Sequence, residues 1–160
     1  HYAWMGKYIS HRQHKIFEKR VKNYPHAVII PKDDYSILPL LYAADTLVSE
    51  ASGAITEFLA TGKTGIIYNL DQEKLKHFDG EALLSFDNRE YLKDSFVHIN
   101  SKDKLRDGIK HALHPTPEMK RAQKADQDKI FFRLDGKASK RTKVKIELLL
   151  AENRNPSLSD

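Results

Sequence analysis

A short apolar run ending at Ser49 leads through Glu50, Ala51, Ser52 and Gly53 straight into a helical pattern, and this junction (EASGA) carries the most chemistry in the chain. The backbone N–H groups of Ser52, Gly53 and Ala54 are expected to point outward from the positive end of the helix, a natural seat for phosphate oxygens. Gly53 has no side chain to block a close approach, and Ser52 adds a hydroxyl donor. Glu57 follows Ser52 by five residues, about one turn into the helix, where a carboxylate can accept hydrogen bonds from two vicinal ribose hydroxyls. Phosphate donors followed by a sugar acceptor describe a site for a nucleoside diphosphate. A simpler account also fits: Ser52 only caps the helix and Glu57 only favours its first turns, effects of about 1 kcal/mol each. Spacing alone leaves both readings open.

Such a junction needs a parallel sheet, since ligands of open α/β sheets bind outside the carboxyl ends of the strands. The chain alternates short β-branched runs with longer helical patterns, which predicts a Rossmann-like parallel sheet flanked by helices. Four runs read as strands buried on both faces: residues 27–30 (AVII), 46–49 (TLVS), 65–68 (GIIY) and 96–99 (FVHI). Between them, Ser36 is placed to cap a helix through Leu38, Leu41 and Tyr42, with Pro39 tolerated in its first turn. Residues 53–61 repeat apolar side chains at Ile55, Phe58 and Leu59 and stop at Gly62, a suitable C′ residue. Ser101 opens a further helix through Leu105, Ile109 and Leu113, with Asp103 near its positive end. After Pro115 and Pro117 the pattern is helical over 118–133 and 137–152, broken at Leu134, Asp135 and Gly136, and these helices are expected to pack back across the sheet. The expected layout is one nucleotide-binding domain over 1–152 and a flexible tail or linker over 153–160. Residues 70–92 have weak periodicity and read as a mobile excursion.

With 27 Lys and Arg against 22 Asp and Glu, the net charge is +5, spread along the chain. There is no cysteine, which excludes disulfides, thiolate metal sites and a cysteine nucleophile. No apolar run approaches the roughly 18 residues of a spanning helix. The basic stretch of Lys7, Arg12, Lys15, Lys19, Arg20 and Lys22, interleaved with Ile16 and Phe17, allows contact with an anionic membrane surface. An amphipathic helix covering a sheet edge is the preferred reading. His11 and His14 lack a third metal ligand, His111 and His114 suit a helix C-terminus, and His26, His77 and His98 show no paired carboxylate. No metal site is expected, no bound cofactor, and no nucleic-acid module.

Residues 30–68 (IPKDDYSILPLLYAADTLVSEASGAITEFLATGKTGIIY) resemble the CDP-glycerol glycerophosphotransferase family of wall and capsule polymer synthases. The shared pattern is a proline turn at Pro31, a helix ending in alanine and aspartate, a strand, a polar Ser-containing loop, an acidic helix and a lysine before the next strand. A second match lies at residues 135–141 (DGKASKR), which look like the closing element of that family. The chain departs from the family where Ser49, Glu50, Ala51, Ser52 and Gly53 replace a Thr-Asp-Tyr-Ser-Ser run and where Thr64 replaces proline after Lys63.

The resemblance implies the C-terminal, donor-binding half of a GT-B transferase that moves glycerol phosphate from CDP-glycerol to a polyol-phosphate, glycan or lipid-linked acceptor. Its partner would be an N-terminal acceptor-binding domain absent from this chain. It implies that Pro31, Ser49, Glu50, Ser52, Gly53, Ala54 and Glu57 line the donor site. It also implies that Arg141 reaches the nucleotide or locks the last helix down, and that His1 matches the family's histidine at the end of a preceding strand. An imidazole there could take the proton of an attacking hydroxyl. The location implied is cytoplasmic or peripheral on the inner face of the cell membrane. Ser52, Gly53 and Glu57 also look like the pattern of UDP-N-acetylglucosamine 2-epimerases, which makes a UDP-sugar the alternative donor. A non-catalytic Rossmann-like module is the remaining reading.

Overall fold

The computed structural model describes residues 15–30, 36–50, 52–70, 80–81 and 89–154. The chain divides into two compact units, His1–Ser36 and Ile37–Asp160. In the first, residues 15–21 are helical and turns follow at 22–26. The run 27–30, expected as a strand, has no regular secondary structure, with Val28 79% exposed. Apolar, β-branched composition favours an extended backbone, but a strand also requires a hydrogen-bonding neighbour. The turn bond from Ala27 N–H to Tyr24 O is what holds its start.

The second unit is a mixed α/β fold. Its elements are α1 (Leu38–Ala43), β1 (Val48–Ser49), α2 (Gly53–Leu59), β2 (Ile66–Tyr68), β3 (Val97–Ile99), a 3-10 turn (Lys102–Lys104), α3 (Leu105–Leu113), α4 (Pro117–Ile130) and α5 (Ala138–Arg154). The strands form a parallel sheet in the order β1-β2-β3. All three lie within predicted runs, shortened by one or two residues at the start. Parallel register and strict alternation send side chains of one row to one face: Val48, Ile66 and Val97 to one side, Ser49, Ile67 and His98 to the other.

Two small cores result. On one face Ile67 packs with Leu41 of α1, Ile55, Phe58 and Leu59 of α2, and Leu92 and Phe96. Phe58 meets Phe96 edge to face at 6.4 Å. Gly65 lies directly under the Phe96 ring, where an added Cβ would come within 2.6 Å of a ring carbon. On the other face Ile66 and Ile99 pack against Ala112, Leu105 and Ile109 of α3. Gly108 lets α3 approach closely, since a Cβ there would lie 3.1 Å from Ile99. The helices that follow β1 and β3 therefore leave toward opposite faces.

Caps explain the boundaries. Ile37, not Ser36, occupies the N-cap position of α1 and makes no side-chain cap, while a proline fills its first turn. Lys63 closes the other end, its ammonium donating to the carbonyls of Tyr42 at 2.5 Å and Ala44 at 2.7 Å. Beyond α2 a turn ends at Gly62, with φ +73°, as expected for a C′ glycine. Ser101 accepts from Asp103 N–H, so it opens the 3-10 turn that leads into α3. Thr116 caps α4 by accepting from Met119 N–H at 3.2 Å, with Pro117 as first helical residue.

α4 does pack back. Gln123, 4% exposed, donates to Thr64 Oγ1 at 2.6 Å and to Ser95 O at 2.9 Å. Gln127 donates to Leu59 O at 2.7 Å, and Ser95 donates to Asp126 at 2.5 Å. α5 does not pack back: Val144, Ile146, Leu148, Leu149 and Leu150 are all exposed. Its apolar residues fall on several sides of the helix, so no single wide stripe directs it onto the sheet. It also runs to Arg154, two residues past the expected end at Glu152. The expected excursion over 70–92 lies mostly outside the described residues, as does the tail 155–160. From 89 onward it is a series of turns in which buried Leu92 takes φ 53°, and its carbonyl accepts from Ser95 and Phe96 N–H. A leucine in the left-handed region is uncommon, and burial of its side chain is what holds it there. No helix among the described residues is long and apolar enough to cross a membrane.

Candidate functional site

β1 delivers the chain to Ser49 at the carboxyl end of the sheet, and Glu50 bends away from it. Ser52 is fully extended, φ −148° and ψ 143°, and opens α2 as its N-cap. Its Oγ accepts from Ala54 N–H at 3.3 Å, and its carbonyl accepts from Ile55 N–H at 3.0 Å. Of the three amides expected to face a phosphate, Ala54 N–H is thus occupied by the cap, through a long bond. Gly53 N–H has no partner among the described residues. A Cβ placed on Gly53 would meet nothing within 4 Å apart from its chain neighbours and the backbone of its own helix, so the side-chain direction at this position is open. No positive φ is recorded for Gly53, so neither backbone strain nor crowding by the protein requires glycine there.

Ile55, Phe58 and Leu59 turn α2 onto the core, which leaves Gly53 and Glu57, four residues apart, on its outer face. The Glu57 carboxylate is exposed there. Thr56 joins α2 to the following turns through a 2.6 Å hydrogen bond between its hydroxyl and that of Tyr91. Gly53, at the positive end of the helix, and the Glu57 carboxylate therefore lie on one side of a single short helix.

Two further polar groups stand at the same end of the sheet. Asn69 follows β2, and its Nδ2 lies 3.2 Å from Nδ1 of His98 on β3. His98 shares a row and a face with Ser49, two strands away. Burial pulls the imidazole below the usual histidine range, opposed by the carbonyls of Leu92 and Tyr91 and by Glu90. The ring is therefore neutral at pH 7. With Asn69 donating to Nδ1, the proton sits on Nε2, which is buried and has no hydrogen-bond partner among the described residues. The missing carboxylate that made His98 look inert in the sequence is replaced by an amide from the neighbouring strand. Its position between Val97 and Ile99, which face α3, was the available signal.

The distant members of the expected set are placed otherwise. Arg141 is engaged by Asp135, with Nη1 2.8 Å from each carboxylate oxygen, and its guanidinium lies 5.5 Å above the centre of the Phe132 ring. Asp135 also accepts from Lys137 N–H at 3.0 Å, around Gly136 at φ +68°. The Arg141 hydrogen bonds, then that amide, hold the Asp135 carboxyl below its ordinary range. The Asp-Gly break is thus a turn that Arg141 fastens to the first coil of α5. His1 and Pro31 lie outside the described residues. His111 and His114 stand at the C-terminus of α3, as expected, beside a cavity of about 530 Å³ at the other end of β3. Among the described residues no group of three or more His, Asp or Glu is arranged to hold a metal ion. No protein family, curated protein or solved structure matches the chain.

Proposed function

We propose that this chain is the donor-nucleotide-binding half of a transferase that moves glycerol phosphate from CDP-glycerol to a polymer or lipid-linked hydroxyl. The observation that carries the reading is Gly53 at the positive end of α2, with uncrowded space on its side-chain side and Glu57 one turn along the same face. A pyrophosphate seated at Gly53 would leave the attached ribose within a helical turn of the Glu57 carboxylate. In the reaction, the acceptor oxygen bonds to the β-phosphorus, the bridging P–O bond to the α-phosphate breaks, and CMP leaves with that electron pair. Charge gathers on the bridging and non-bridging oxygens as this happens. A fixed backbone N–H and helix dipole stabilise it without reorganising, which is electrostatic catalysis. The proton of the attacking hydroxyl needs a base, a role that the family resemblance gives to His1. The acceptor would be held by an N-terminal domain, so this chain alone binds donor without turnover.

The bond from Ala54 N–H to Ser52 Oγ is also what a plain helix cap would make, and it favours the non-catalytic module as the second reading. Calorimetric titration with CDP-glycerol, CMP, UDP-N-acetylglucosamine and UDP separates the alternatives. Binding of cytidine ligands, weakened in Ser52→Ala and Glu57→Ala, supports the transferase. Preference for uridine ligands moves the donor to a UDP-sugar. Absence of binding by the folded chain, and by a longer chain that includes the acceptor domain, would leave Ser52 as a cap and sink the proposal.

A further inference from the structure

His98 and the turns that lie against it combine two unfavourable features in one place. With Asn69 donating to Nδ1 at 3.2 Å, the proton of the neutral ring sits on Nε2, a buried donor with no partner among the described residues. The carbonyls of Tyr91 and Leu92 stand near the ring without completing a hydrogen bond to that nitrogen. The Leu92 carbonyl is engaged instead by the N–H groups of Ser95 at 3.0 Å and Phe96 at 2.9 Å. Leu92 itself takes φ 53°, where a branched side chain crowds its own backbone. Unmet buried donors and left-handed residues other than glycine persist only where their surroundings impose them. Three fastenings do so here. The Leu92 side chain is buried beside Ile55, Phe58 and Leu59 of α2. The Tyr91 hydroxyl meets that of Thr56 on α2 at 2.6 Å, and the Ser95 hydroxyl donates to Asp126 of α4 at 2.5 Å. Residues 91–95 thus tie β3 to α2, the helix that carries Gly53 and Glu57.

We infer that residues 91–95 form a proton-sensitive clasp: it closes over a neutral His98, and uptake of a proton by the ring opens it and releases Tyr91 from Thr56. Protonation turns Nδ1 from acceptor to donor, which sets it against the Asn69 amide, and it places a full charge on a half-buried ring. The Asn69 amide can turn its oxygen to Nδ1, but the charge still lies beneath the turn. Among the described residues no carboxylate pairs with the ring. Glu90 favours the cation only weakly, being exposed and paired with Lys93 at 2.7 Å, and Asp94 is exposed further along the same turn. The neighbouring strands present Ile67 and Ser49 to this face, both uncharged, and α2 carries Glu57 on its outer face. Opening lets water reach both ring nitrogens and lets Leu92 leave its left-handed backbone. It also exposes the Leu92 side chain, so the open form is a minor one at neutral pH and gains population as the ring takes up its proton. The clasp stands whether or not α2 seats a nucleotide.

Native-state hydrogen exchange of the full chain, followed by NMR, tests this. The N–H groups of Ser95 and Phe96 report the clasp, while Ile66 N–H, bonded to Leu47 O at 2.7 Å, and Val97 N–H, bonded to Gly65 O at 3.0 Å, report the sheet. In low urea the clasp amides should exchange faster than the sheet amides and with little dependence on urea, as a local opening does. Their protection, corrected for intrinsic exchange, should fall between pH 7.5 and 5.5 by up to about tenfold, since the open form leaves the ring near its ordinary 6.5 and the closed form holds it lower. In His98→Gln the same amides should keep a protection that does not change with pH. Tyr91→Phe, which loses the bond to Thr56, should raise their exchange severalfold at pH 7.5. Clasp amides that share the protection and urea dependence of the sheet would open only by global unfolding, which overturns the inference. A pH dependence that survives in His98→Gln overturns it too, as does a Tyr91→Phe chain whose clasp amides exchange as before.

Discussion

At the scale of single residues, the chemistry at Gly53 and at His98 can be separated from stability. Gly53→Ala meets no protein atom and replaces glycine at the first position of a helix, so it should leave the denaturant midpoint unchanged or raised. If the amide receives a phosphate, the same methyl group crowds the ligand, and cytidine-nucleotide affinity should fall in titration. A variant that loses affinity and stability together would point to misfolding instead. His98 predicts a pH dependence with a definite sign. Its folded pKa lies below the ordinary 6.5 because burial disfavours the cation. As pH falls below about 6.5, the unfolded chain takes up the proton first, so the contribution of the neutral ring, complete above that value, is lost down to the folded pKa. Urea midpoints should therefore fall between pH 7.5 and 5.5, with a shallower fall in His98→Gln. Equal slopes in the two proteins would show that His98 is not the titrating group. The Ser52 cap and the outward face of Glu57 were legible in the sequence because they depend on neighbours within five residues. The contact between Asn69 and His98 was not, since it depends on the register of β2 against β3.

At the scale of elements, the sheet is held by close approaches and by one buried amide. Gly65→Ala drives a methyl group into the Phe96 ring and should destabilise by about 1–3 kcal/mol, as overpacked cores do. Gly108→Ala faces the more yielding Ile99 side chain and should have the smaller effect in the same urea titration. Gln123→Leu strips Thr64 and the Ser95 carbonyl of their donor in a buried place and should lose about 1–3 kcal/mol. A neutral result there would mean that α4 is held by its apolar contacts and not by this amide. The three strands were legible as continuous apolar runs, and α2 was legible through its cap, its apolar period and Gly62. The run 27–30 has the same composition as the true strands and yet is not one, because composition reports the preference for extension and not the presence of a partner. The turns over 89–96 gave no local signal, since Leu92 adopts its left-handed backbone only with its side chain buried in the core.

At the scale of the whole molecule, the second unit keeps its core between α1 and α4, and α5 adds little to it. A chain ending at Lys137 should retain the urea midpoint of the full chain, because the side chains of α5 are exposed and Arg141 contacts the break itself. A marked loss of stability would show that α5 packs on the fold. Length, charge, the absence of cysteine, the parallel α/β plan and the capped junction at 49–57 follow from the amino-acid sequence by itself, because each depends on composition or on neighbours within two turns of chain. The tertiary structure alone decided which apolar runs became strands, that Asn69 and His98 meet, that Arg141 serves the turn at Asp135, and that α4 docks while α5 does not. Those outcomes depend on residues far apart in the chain competing for one small core, and no local preference carries that information.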